Sequence, residues 1–173
     1  MPKIIENLRA RLLTEAKKQV REKGYGALTM RSVAFACGVG VGTLYNYFPS
    51  KEMLIASFML EDWNKTRQEM RQAGDGADAR TILSAQYDGI RAFCEQHERL
   101  FSDPAAIRVF SGMPHDRHDR LRTQLSEPLR RALTDAGRPN AEFLADFLAE
   151  ALLTWTLAKK DKAELFSVLE PLL

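Results

Sequence analysis

A chain of 173 residues is long enough for one core or two small ones. Its 45% apolar and 28% charged side chains fit a buried core under a soluble surface. A net charge of +2 excludes a polycation that holds nucleic acid by bulk charge alone. The charge is unevenly placed, however. Residues 1–51 carry five Lys and four Arg against three Glu, whereas residues 52–173 carry 16 basic and 20 acidic side chains. That division points to one anion-facing module and one with a different job. Cys37 and Cys94 form no CxxC pair and suggest no disulfide framework. The first residues, MPKIIENLRARLL, lack an apolar signal core, and no run of 18 apolar residues exists, so a soluble, cytoplasmic protein without a membrane partner is expected.

In chain order, residues 4–23 place Ile4, Leu8, Leu12, Ala16 and Val20 on one helical face. Gly24 and Gly26 stop that helix. Thr29 caps a second helix with Met30, Val33, Ala34 and Ala36 as its apolar positions, and Gly38 ends it. A short third helix fits Val41 to Phe48, and Ser50 caps a long fourth from about Lys51 to Gln72. The linker AGDGAD, residues 73–78, precedes a helix over 79–97. Further helices are expected over 117–136, 140–158 and about 161–172. No β-alternation is long enough for a sheet. The fold class is all-α, with about nine helices.

The stretch GVGVGTLYNYFPSK, residues 38–51, carries the most information. Its glycines do not form a dinucleotide fingerprint, because no strand precedes them and Tyr45 stands three after Gly42. They do not form a Walker loop either, since Thr43 follows Gly42 directly. Two short helices joined by a tight glycine turn are instead helix-turn-helix geometry. Gly38 would take the left-handed backbone, Val39 would bury beneath both helices, and Leu44 and Phe48 would face inward. Thr43, Asn46 and Tyr47 would lie outside, with Tyr45 on a flank. Exposed tyrosine hydroxyls beside a lysine suit phosphate oxygens, so the expected partner is a DNA duplex.

The segment KGYGALTMRSVAFACGVGVGTLYNYFPSKEML resembles the TetR/AcrR family of bacterial transcriptional regulators over about residues 5–60. GTLYNYFPSKEML is its specific part. One departure is Gly40, where the family usually has Ser or Thr, so the resemblance assigns that position no side-chain role. The resemblance implies a DNA-binding domain at 1–50 and a helical ligand-binding and dimerisation domain at 51–173, with helix 51–72 connecting them.

The expected DNA-binding set is Thr29, Arg31, Val41, Gly42, Thr43, Tyr45, Asn46, Tyr47 and Lys51. Thr29 caps its helix and, by resemblance, touches a phosphate. Arg31 is poorly placed for the helix dipole, and either a nearby DNA backbone or plain solvation explains it. Val41 could meet a thymine methyl, Thr43 a base or phosphate, and Asn46 an adenine or nothing. Tyr45, Tyr47 and Lys51 fit phosphate contacts. Dimerisation and inducer binding are what the resemblance implies for the remainder. Excess apolar surface on 140–158 and 161–172 singles out Phe143, Phe147, Leu148, Leu152, Trp155, Leu165 and Leu169 for a dimer seam, against ordinary core. Trp63, Tyr87, Phe93, His97, Phe101, Phe110 and Met113 are pocket candidates for a small apolar or amphipathic ligand, each also readable as core.

HDRHDR, residues 115–120, offers His115 and His118 with Asp116 and Asp119, yet no third distant ligand is suggested. It reads better as the solvated start of a helix, and no metal site is assigned. No catalytic constellation is legible, and no cofactor is implied. The expectation is a non-enzymatic, ligand-responsive repressor that binds a pseudo-palindromic operator as a homodimer. A DNA-binding regulator without an inducer is the alternative, and a small helical enzyme the remote one.

Overall fold

The computed structural model describes residues 7–111 and 116–173; the side chains of Phe110, Ser111, Asp116 and Arg117 are outside that description. Among the described residues there are ten α-helices, one 3-10 helix and no strand. They divide into two compact units, one of residues 7–63 and 97–111, the other of residues 64–96 and 116–173.

In the first unit, α1 (Leu8–Lys23) buries Leu8, Leu12, Leu13, Ala16 and Val20 on one face. It stops at Gly24, whose φ of 84° suits glycine and whose N–H donates to the Val20 carbonyl at 2.9 Å. Ile4, expected on the same face, lies outside the described residues. α2 (Met30–Ala36) starts from a reciprocal cap. The Ser32 N–H donates to Thr29 Oγ1 at 3.0 Å and the Thr29 N–H donates to Ser32 Oγ at 3.2 Å, satisfying two otherwise orphaned donors. Ser32 Oγ–H also donates to Gln19 Oε1 on α1 at 2.6 Å, tying the cap to the neighbouring helix. Ala36, expected among the apolar positions of α2, is exposed, as is Phe35.

The turn follows from glycine chemistry. Gly38 has a φ of 69°, which costs a residue with a Cβ far more. Its N–H donates to the Phe35 carbonyl and the Val39 N–H to the Ala34 carbonyl, both at 3.0 Å, the paired bonds of a Schellman stop. Arg11 on α1 donates to the Cys37 carbonyl at 3.0 Å and so clamps the turn. α3 (Val41–Tyr47) then seats Leu44, with Phe48 just beyond it, in a core that includes Leu12, Leu28, Val33, Leu54, Ile55 and Phe58. α4 (Lys51–Ala73) is capped by Ser50, whose Oγ accepts from the Met53 N–H at 3.2 Å.

Two short helices, α6 (Glu98–Phe101) and α7 (Pro104–Ser111), complete this unit with Leu100 and Ala106 in the core. His97, at the start of α6, is buried against Asp62 of α4, Nε2 to Oδ2 3.1 Å, and its ring stacks on Phe58 at 6.0 Å. Lys17 of α1 reaches the same carboxylate at 2.7 Å. Burial holds the His97 imidazole below its ordinary value of 6.5, with Asp62 opposing the shift and Lys17 adding to it. As pH falls, the unfolded chain therefore takes up this proton first. The stability that neutral His97 contributes is present above about 6.5 and is lost as pH drops toward the folded value. Between about pH 7.5 and about pH 5.5, the urea midpoint of the wild type should fall more than that of His97→Gln. Equal falls in the two proteins would assign the acid sensitivity to other groups.

The second unit joins the end of α4 to α5 (Ala79–Gln96), α8 (Asp116–Asp135), α9 (Ala141–Leu157), α10 (Lys162–Leu169) and the 3-10 turn Glu170–Leu172. Asp78 caps α5 through the Thr81 N–H at 2.8 Å. Gly89 of α5 faces α4 closely: a Cβ there would run into the Met70 side chain. Leu83 of α5, Leu125, Leu129 and Leu133 of α8, and Leu148 and Leu152 of α9 are fully enclosed in its core.

This burial corrects the expected dimer seam. Leu148, Leu152, Leu165 and Leu169 pack inside their own unit and are unavailable to a second copy. Trp155 is half-buried; its indole N–H donates to the Asp161 carbonyl at 2.7 Å and Lys160 covers its ring at 4.3 Å, so it closes the α9–α10 corner. The apolar surface left in water belongs to Phe143 and Phe147, 69% and 46% exposed, with stacked rings 6.3 Å apart. Leu157 and Val168 are exposed as well. The inward face of α9 is 145-148-149-152-153-156, and the outward one starts at 143-147.

No helix among the described residues is long and apolar enough to cross a membrane.

Candidate nucleic-acid interface

The end of the first unit formed by α2 and α3 gathers most of the side chains expected at a DNA surface. A concavity of about 540 Å³ opens there, lined by Thr29, Arg31, Val41, Tyr45 and Lys51 together with Gly26, Leu28 and Met30. Thr43, Asn46 and Tyr47 are exposed on α3 outside that concavity. Tyr45 and Tyr47 are 48% and 46% exposed, and Val41 38%. Leu44 and Phe48 are buried and hold α3 in place. Gly26, Leu28 and Met30 were not expected at this surface from the sequence. Leu28 and Met30 lie beside the cap residue Thr29, and that adjacency was the available signal.

α3 starts without a side-chain cap, since Gly40 has no hydroxyl to offer. A glycine N-cap costs only a few tenths of a kcal/mol relative to Ser. Gly42 is harder to explain from folding. It stands inside the seven-residue helix, is exposed, and a Cβ there would meet nothing within 4 Å. The fold tolerates a side chain at this position, and Ala would favour the helix by about 1 kcal/mol.

Lys51 differs from its expected role. It is half-buried, its ammonium donates to the Tyr25 carbonyl at 2.5 Å, and it lies over the Tyr25 ring at 3.8 Å. Burial lowers its pKa, against the raising effects of Glu52 and Asp103. The Tyr25 hydroxyl in turn donates to Glu52 at 3.2 Å, and burial raises its pKa. Lys51 thus pins the loop between α1 and α2 to the start of α4. Lys51→Ala should destabilise the protein by about 1–3 kcal/mol, as loss of a charge-assisted hydrogen bond and a cation–π contact does. It should change the salt slope of DNA binding by less than about 1 per subunit. An unchanged urea midpoint with a full unit of lost slope would return Lys51 to the phosphate-binding set.

The expected pocket residues fall in different units. Trp63, His97 and Phe101 belong to the first, Tyr87 and Phe93 to the second, so neither unit contains the set. The Tyr87 hydroxyl already donates to the Lys160 carbonyl at 2.7 Å, and Phe101 is exposed. The Phe110 side chain and Met113 lie outside the described residues. A polar group that was not singled out is Gln86, buried on α5. Its amide donates to the Leu125 carbonyl at 2.8 Å, and its Oε1 has no hydrogen-bond partner among the described residues.

In HDRHDR, His115 and the Asp116 side chain lie outside the described residues, His118 pairs with Glu150 at 2.7 Å, and Asp119 pairs with Arg122 at 3.3 Å. No group of three metal-capable side chains gathers among the described residues. Burial pushes the thiols of Cys37 and Cys94 up, so neither is primed as a thiolate.

Comparisons with known proteins lead to the same surface. Residues 12–58 match the family model of bacterial regulatory proteins of the tetR family. The transcriptional regulator UidR of Escherichia coli K12 is 32% identical over 68 residues, which cover 39% of this chain and 35% of UidR. The match thus spans about a third of that curated relative. The transcriptional repressor Rv1474c of Mycobacterium tuberculosis is 25% identical over 180 residues, covering 98% of this chain and 95% of its own. Among solved structures, Thermus thermophilus FadR, a TetR-family repressor crystallised with lauroyl-CoA, superposes with a TM-score of 0.59 at 23% identity, over 92% of this chain and 89% of FadR. The clamped helix-turn-helix thus lies within the segment that matches the tetR-family model, on a chain that aligns end to end with a mycobacterial repressor at 25% identity.

Proposed function

We propose that the chain is a transcriptional repressor that binds a pseudo-palindromic DNA operator as a homodimer. The observation that carries this reading is the exposed, rigidly seated face of α3 beside Thr29 and Arg31, with two tyrosine hydroxyls available to phosphates. The stacked, exposed Phe143 and Phe147 support the dimer, because a soluble monomer rarely leaves such a pair in water. Work on chromosomal DNA puts the protein in the cytoplasm. Binding of fluorescent duplexes, read across salt concentrations, tests the reading. A steep negative slope of log K on log salt and a preference for a two-fold symmetric site are expected. Equal, weak binding to every duplex would overturn it.

A small apolar or amphipathic ligand that releases the operator is the regulatory half of the proposal. Gln86 supports it, a buried amide oxygen left over within the apolar core of the second unit. A regulator without an inducer is the second reading, and the observation favouring it is that Tyr87 and His97 are already engaged by protein groups. Thermal shifts against fatty acids and lauroyl-CoA separate the two. A shift accompanied by operator release supports the first, and its absence across the series the second.

A further inference from the structure

α3 carries no charged side chain: its sequence is VGTLYNY. Guanine is read in the major groove most often by Arg or Lys, and cytosine by Asp or Glu. None of these stands on this helix. What it exposes instead is Val41, Thr43, Tyr45, Asn46 and Tyr47. Leu44 points into the core, so helical spacing puts Gly42 and Asn46 on the opposite, outermost line. Gly42 is not required by packing or by its backbone angle, and its lack of a side chain leaves the crest beside Asn46 low. That lets the helix backbone approach base edges closely. Asn46 then presents a carboxamide that matches the N6 and N7 of adenine, and Val41 an isopropyl group that matches a thymine methyl. Among the described residues, Arg31 on α2 is the one guanidinium lining the same concavity as Val41 and Tyr45, and the ammonium of Lys51, which also lines it, is engaged by Tyr25.

We infer that α3 reads a half-site core of A·T pairs, and that a preferred guanine enters the half-site only where Arg31 reaches it. This rests on the DNA-interface reading above.

The test is a selection from random duplex DNA with the full chain as wild type, Asn46→Ala and Arg31→Ala, each checked for folding by its urea midpoint. The wild type should return half-sites with an A·T core. Asn46→Ala should lose about 10- to 100-fold of discrimination at one adenine per half-site. Any strongly preferred guanine should lose its preference in Arg31→Ala alone. Gly42→Ala should fold at least as stably as the wild type and bind the selected site about tenfold more weakly. A selected core of G·C pairs overturns the inference, as does a guanine preference that Arg31→Ala leaves intact. Tight operator binding by Gly42→Ala also counts against it, because the close approach would then be unnecessary. Failure of the folded wild type to enrich any duplex is a different result, which overturns the DNA-binding reading itself.

Discussion

Phe143→Asp and Phe147→Asp are each expected to leave the protein folded but monomeric at micromolar concentration. Both rings are exposed in their own unit, so the substitutions remove little from the monomer's core and should barely move its urea midpoint beyond the loss of dimer linkage. A phenylalanine ring buries about 150–250 Å² when an interface covers it. Replacing it by a carboxylate sets an unpaired charge in the seam, at a cost of several kcal/mol. Each 1.4 kcal/mol is tenfold in the dimer constant, so the shift spans about two to three orders of magnitude. Operator affinity should collapse with it, since one helix-turn-helix on one half-site holds few phosphates. Sedimentation of both variants at a range of concentrations decides the matter; dimers that persist in both would place the seam on another surface. Leu148→Asp serves as a contrast. It puts the charge inside the unit's own core and should unfold the protein before assembly is at issue.

Leu44→Ala should cost about 2–5 kcal/mol, because Leu44 is fully enclosed and its neighbours Leu12, Leu28, Val33 and Leu54 belong to three other elements and a loop that cannot all collapse onto the cavity. Against a domain stability of about 5–15 kcal/mol this loosens the seat of α3. Asn46→Ala, two positions along on the outer face, should stay within about 0.5 kcal/mol. Urea midpoints of the two variants make the comparison. A loss below about 1 kcal/mol for Leu44→Ala would mean that α3 does not depend on that core for its position.

Local chemistry was legible wherever a residue's role is set by its immediate neighbours. Thr29 caps the helix that follows it, Gly24 and Gly38 take positive φ values where the helices end, and Ser50 caps the helix after it, while the equally local bonds of Ser32 and Asp78 were not foreseen. Leu44 and Phe48 turned inward as a spacing of four demands. These features need no distant partner, and the resemblance of residues 38–51 to a known DNA-binding motif agreed with them.

Where a role depends on which of several apolar or charged groups wins a neighbour, the chain order was silent. α9 has apolar residues around most of its circumference, so periodicity alone could not say which stripe its own unit would take. Tertiary packing gave Leu148 and Leu152 to the core and left Phe143 and Phe147 outside. Lys51 follows the exposed helix α3 closely in sequence, but the loop carbonyl of Tyr25 lies within its reach and engages the ammonium. His97 met Asp62 and Lys17 from helices 35 and 80 positions away, a juxtaposition no local pattern encodes. The helices, their ends and the helix-turn-helix motif were legible in the chain order, because those rest on interactions within a turn or two. Which faces stay exposed and which charges are already paired was decided only by tertiary structure, because burial and ion pairing are settled between segments far apart in the chain.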